Sequence, residues 1–139
     1  MEQRLTYITL GVNDLKRMTD FYENVFGWKR EKGSSEGVTF FKLNGIILSL
    51  FGREALAEDA GISSEGTGFK PFSLAYNLSS EKEVDELYAV LESKGAKVIK
   101  RPQKVFWGGD SSYIADPEDN LWEIAYNPYL SLDNKGDVI

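Results

Sequence analysis

Phe106-Trp107-Gly108-Gly109 precedes a strand-like run that carries Tyr113, and the next such run, Leu121 to Tyr126, carries Glu123. Paired glycines let a backbone bend closely toward a ligand or adopt positive φ, while Trp107 offers a large flat apolar surface with one N–H donor. The same indole could equally pack under a helix. Alternation along LWEIAY sends Leu121, Glu123 and Ala125 to one face and Trp122, Ile124 and Tyr126 to the other. Arg53 follows the apolar run Ile46 to Phe51. A cation there either attracts an anionic substrate or stands solvated at a rim.

These residues carry the argument because the usual reactive side chains are missing. The chain contains no cysteine and no histidine. Disulfides, cysteine nucleophiles, Ser-His-Asp triads, zinc fingers and any metal site built on imidazole or thiolate are excluded. Carboxylates, Tyr, Lys, Arg, Ser and Thr remain. No glycine-rich loop follows a strand and opens a helix, so nucleotide-phosphate sites have no support.

The elements that must position these groups recur in order. Leu5 to Val12 reads as a buried strand, and Asn13-Asp14 caps a helix whose apolar face is Leu15, Met18, Tyr22, Val25 and Phe26, closed by Gly27. WKREK, VTFFKL and IILSLF follow as strand-like runs, with Asn44-Gly45 a hairpin turn. The order then repeats. Phe72 to Leu78 is a strand, Ser80 with Glu83 forms a capping box, and Val84, Leu87, Val90 and Leu91 form the stripe of a helix ended by Gly95. Strands are expected at Ala96 to Lys100, Ser111 to Ala115 and Leu121 to Tyr126. The chain therefore reads as two tandem βαβββ modules of nearly equal length. Module one covers about 5–52 and module two about 71–128, with a polar linker at 53–70 holding a short helix at Glu54 to Ala60. Asp116 to Asn120 is a turn in which Asp119 can take left-handed backbone. The tail, 129–139, is expected to fray. Trp122 and Tyr22 are expected in the core.

With 139 residues, 42% of them hydrophobic, the chain has room for one domain with a core. Sixteen basic against 22 acidic residues leave a net charge of −6. That surface repels phosphate backbones and anionic lipid, so neither nucleic acid nor membrane is an expected partner. No uncharged run approaches the roughly 18 residues of a spanning helix, and the start MEQRLTYITL has no apolar signal core. A reducing cytoplasm is the expected location.

TYITLGVNDL with FYENVFGW at the start, and YIADPEDNLWEIAYNP at the end, resemble the vicinal oxygen chelate superfamily. This group includes lactoylglutathione lyase, extradiol dioxygenases, and bleomycin and fosfomycin resistance proteins. The most specific element is D-P-x-x-N-x-x-E, ending in Glu123. The resemblance implies an α+β fold in which the two modules form a curved, open half-barrel with helices outside and the site on the concave face. It implies a divalent metal held by His or Gln on the first strand of each module and Glu on the last. Carried over, the first-strand positions are Tyr7 and Ser73, and the last-strand positions are Glu123 and about Leu48. One carboxylate with a phenol, a hydroxyl and an alkyl chain is a poor donor set, so the expectation is no metal and no other cofactor.

Two functions follow from the resemblance. The first is a metal-free, aromatic small-molecule site of the resistance-protein type, in a homodimer, with Tyr7, Ser73, Leu48, Trp107, Tyr113 and Arg53 as ligand-binding candidates. The second is a lyase or isomerase acting on a small carbonyl substrate, with Glu123 as general base and Tyr7 or Tyr113 donating to an enolate oxygen. Glu123 could also be a carboxylate satisfied by Tyr7 or Ser73.

Overall fold

β1 (Tyr7–Val12) is built from the β-branched and apolar residues of the first run; its expected start at Leu5 falls outside residues 1, 3 and 6–139, which the computed structural model describes. Two units partition the chain, Met1–Phe69 and Lys70–Ile139, and each has its own sheet. No described helix is long and apolar enough to cross a membrane.

In the first unit, Asp14 caps α1 (Leu15–Asn24) by accepting from the Arg17 amide at 2.9 Å. β2 (Val38–Lys42), β3 (Ile47–Gly52) and α2 (Arg53–Ala60) follow. The sheet order is β1-β3-β2, with β1 parallel and β2 antiparallel to β3. Met18 and Tyr22 of α1 are fully buried, and the Tyr22 ring meets Phe26, Trp28 and Phe41 at centroid distances of 5.2, 5.6 and 5.7 Å.

The expected strand in WKREK does not form. It is reduced to an isolated bridge between Arg30 and Phe41 and one bond from the Glu31 amide to the Phe40 carbonyl. Two local choices explain this: Trp28 turns inward to stack on Tyr22, and the Ser34 hydroxyl captures the Phe40 amide at 3.0 Å. A side-chain oxygen thus takes a donor that a ladder would have used. The short helix expected in the linker does form. It starts at Arg53 and lies against β1, where a Cβ added to Gly11 would come within 3.2 Å of Leu56 Cδ2.

The second unit contains β4 (Leu74–Leu78), α3 (Glu81–Ser93), β5 (Lys97–Lys104), β6 (Asp110–Ala115) and β7 (Leu121–Tyr126). Its order is β4-β7-β6-β5, with β4 parallel to β7 and the other pairs antiparallel. Ser80 caps α3 as expected, its Oγ accepting from the Glu83 amide, but the Glu83 carboxylate reaches back one residue further than a capping box requires and accepts from the Ser79 amide. β5 runs past its expected end through Pro102, which an edge strand with register shifts tolerates. Asp119, at φ 63, takes the left-handed conformation in the turn after β6. Asp116 organises that turn, accepting from the amides of Glu118 and Asn120. The tail does not fray. Leu132 bridges Val138 around Asp133, whose carboxylate accepts from the Lys135 and Asp137 amides. Together the sheets and helices make an α+β chain.

Candidate functional site

The two faces of the second sheet are chemically distinct. Trp122, Ile124 and Ile114 are buried, as are Val84, Tyr88 and Leu91 of α3. Arg101 and Lys104 of β5 reach Glu92 and Glu81 of the same helix, which marks this as the helix side. Glu123 lies on the opposite face, directly across from Tyr113 on β6 and from Ala75 on β4. Residues paired across strands share a face and stand close enough for their side chains to meet.

Glu123 is half-buried, and its Oε1 accepts a hydrogen bond from Ser111 Oγ at 2.8 Å. Tyr113 faces the same carboxylate from the neighbouring strand. Burial pushes its phenol up, and the charge of Glu123 pushes in the same direction. Tyr113 is therefore a protonated donor at neutral pH. The Lys100 ammonium stands 5.9 Å from the Tyr113 ring centroid. Ser111 was not among the residues expected at the site. The available signal was the two-residue spacing of Ser111 and Tyr113 within DSSYIA, which places both on one face once β6 is a strand.

In the first sheet, Thr9, Ser49 and Phe40 pair across three strands, and Tyr7 pairs with Ile47 on the same face. Tyr7 is half exposed, and its ring meets Phe40 edge-on at 6.1 Å. Leu48 is on the other face. It pairs with Phe41, and Thr39 of that same face shares a 2.8 Å hydrogen bond with Thr19 of α1. Leu48 is thus a core residue, 1% exposed, and the expectation that it lines the site is corrected. A displacement of one residue changes the face of a strand side chain. Ser49 pairs with Thr9 as Glu123 pairs with Ala75, so Ser49 holds the corresponding position.

The other candidates are placed as follows. Ser73 precedes β4 and is exposed, outside the strand in which it was expected. Neither it nor Tyr7 supplies the hydrogen bond of Glu123 described above; Ser111 does. Arg53 is the first residue of α2, and its guanidinium donates to the Ser64 and Gly66 carbonyls, both at 2.8 Å. It tethers the segment that follows its own helix. Trp107 folds over its hairpin: a Cβ on Gly109 would lie 1.9 Å from Trp107 Cζ3 and 2.4 Å from the Tyr126 carbonyl oxygen. Gly108, at φ 96, makes the turn possible.

The donor set does not fit a divalent metal. Around Glu123 stand two neutral hydroxyls, and the Tyr7 face offers a phenol, Thr9 and Ser49. Among the described residues, no group of three or more Asp or Glu side chains is placed to hold an ion. In the first unit, a groove of about 730 Å³ runs beside α1, lined by Lys16, Asp20, Arg30, Lys32 and Thr39 among others. Lys16 is already paired with Asp20, and Arg30 with Glu23.

The sequence model of the Glyoxalase/Bleomycin resistance protein/Dioxygenase superfamily matches residues 4–124. The crystal structure of a glyoxalase-related enzyme from Fulvimarina pelagi has a TM-score of 0.88 at 31% identity, covering 99% of this chain and 98% of that one. Metallothiol transferase FosB of Lysinibacillus sphaericus is 29% identical over 122 residues, 87% of this chain and 80% of that protein. Lactoylglutathione lyase GLX1 of Arabidopsis thaliana is 30% identical over 133 residues, 88% of this chain and 44% of that protein.

Proposed function

Because the chain belongs to the Glyoxalase/Bleomycin resistance protein/Dioxygenase superfamily, we propose that it binds a small molecule without a resident metal, on the sheet face that carries Tyr113 and Glu123. The observation that carries this reading is the bond from Ser111 to Glu123. It holds the carboxylate as an oriented acceptor for a ligand that is cationic or donates hydrogen bonds. The net charge of −6 favours the approach of such a ligand. Relatives named for lactoylglutathione and for thiol transfer support a small-molecule partner. The reading extends to a homodimer in the cytoplasm, which light scattering and fractionation test.

A second reading is favoured by one observation, the protonated Tyr113 phenol beside Glu123. In a lyase or isomerase acting on a small carbonyl compound, Glu123 would remove a proton while Tyr113 donated to the enolate oxygen. One experiment separates the two. Native mass spectrometry of the purified protein, with its Glu123→Gln variant, should find a bound small molecule that the variant loses, and no turnover across a panel of carbonyl compounds. Turnover of a methylglyoxal–glutathione hemithioacetal that collapses in Glu123→Gln would establish the second reading instead. Stoichiometric divalent metal bound at Glu123 would overturn the metal-free reading.

A further inference from the structure

Strand register arranges the face around Glu123 into two parallel rows. Lys100, Tyr113, Glu123 and Ala75 form one, across β5, β6, β7 and β4; Gln103, Ser111, Ala125 and Asn77 form the next. The register shift between Val98 and Lys100 turns Lys100 away from the helix side, where its neighbour Arg101 pairs with Glu92. Lys100 lies over the Tyr113 ring, and among the described residues no ion pair joins it to a carboxylate. The first row therefore runs cation, phenol, carboxylate, methyl. At the usual spacing of about 4.8 Å between neighbouring strands, the backbones of Lys100 and Glu123 are about 10 Å apart. Ala75, which is exposed, and Ala125, which is buried, flank the carboxylate with small side chains, while Gln103 and Asn77 close the second row with amides.

We propose that the ligand is a zwitterion laid across this sheet, its anionic end on Lys100 and its amine or other donor end on Glu123. The inference rests on the small-molecule reading above and adds the anionic end and the length. Two opposite charges separated by two strands and held from direct pairing by an intervening ring are complementary to a molecule with the opposite order of charge. A ligand with only one charged end leaves the other side chain without an oppositely charged partner. Tyr113 donates to the middle of such a molecule.

The test is a titration, followed by heteronuclear NMR, with ω-amino carboxylic acids of graded chain length. The n-alkylamine and n-alkyl carboxylate of matching length serve as single-ended probes. The wild-type protein should bind one chain length best, at least about tenfold more tightly than either single-ended probe, as expected for one added charge-assisted hydrogen bond. Lys100→Met should abolish that margin without changing the affinity for the amine, Lys100→Arg should restore most of it, and Glu123→Gln should weaken amine and zwitterion alike. If amine and zwitterion bind equally and Lys100→Met changes neither, the inference falls while binding at Glu123 stands. If no probe saturates, the zwitterion inference falls, and the reading of Glu123 as a ligand acceptor is judged by native mass spectrometry alone.

Discussion

Ser111 Oγ lies 2.8 Å from Glu123 Oε1, on the strand next to that of the carboxylate and two residues from Tyr113, which faces the same carboxylate directly. One strand thereby sets a bonded hydroxyl and a facing phenol beside one acid. Ser111 is buried, so its hydroxyl has little access to solvent as an alternative partner.

Ser111→Ala removes that support. It should cost about 1 kcal/mol of stability, the usual value of one net hydrogen bond, and it should weaken ligand affinity more than it lowers stability, because the carboxylate loses its orientation. Urea denaturation and native mass spectrometry read the two effects. Unchanged ligand affinity would show that Ser111 is structural only.

Gly109→Ala tests the fold of the hairpin. The new methyl meets the Trp107 ring at 1.9 Å and a backbone oxygen at 2.4 Å. The ring can swing away but the Tyr126 carbonyl cannot, so a loss of about 1–3 kcal/mol is expected, together with a red-shifted indole emission. Thermal melts and fluorescence check both.

Asp110 predicts a pH effect. Its side chain is buried with Oδ1 unpartnered, and burial, then the charges of Asp85 and Glu81, raise its carboxyl above the ordinary value. A raised carboxyl binds its proton more tightly in the folded state than in the unfolded one. Its contribution is therefore fully present below the unfolded value of about 3.9 and is lost as pH rises through the folded value. Asp110→Asn should raise the urea midpoint at neutral pH and change it little below that unfolded value. An equal shift at both pH values would refute the assignment.

Thr19 and Thr39 share a buried 2.8 Å hydrogen bond between α1 and β2. Either single Thr→Val change strands the other hydroxyl and should cost about 1–3 kcal/mol; the double change should cost less than the sum of the two. A double-mutant cycle in urea supplies the coupling energy, and additive losses would show that the hydroxyls do not act as a pair.

The sequence by itself determined the elements whose signals are local. Asp14 and Ser80 announce their helices because each carries the oxygen that satisfies an orphan amide, and Asp119 marks a left-handed turn position. The DPEDNLWE ending located Glu123, and alternation assigned it the face opposite Trp122 and Ile124. The absence of histidine already separated this chain from a metal site built on imidazole. Tertiary structure decided whatever depends on register. Leu48 proved to face α1, with Ser49 on the Tyr7 side, because the strand period of two makes a one-residue error a complete change of face. WKREK lost its strand to Trp28 packing and to the Ser34 hydroxyl. Ser111 became the partner of Glu123, and Lys100 joined its row, only through the pairing of β5, β6 and β7. Propensity and capping act within a few residues and can be read in order. Cross-strand partners are set by hydrogen-bond register between segments distant in sequence, and nothing local to Glu123 encodes which hydroxyl or cation will stand beside it.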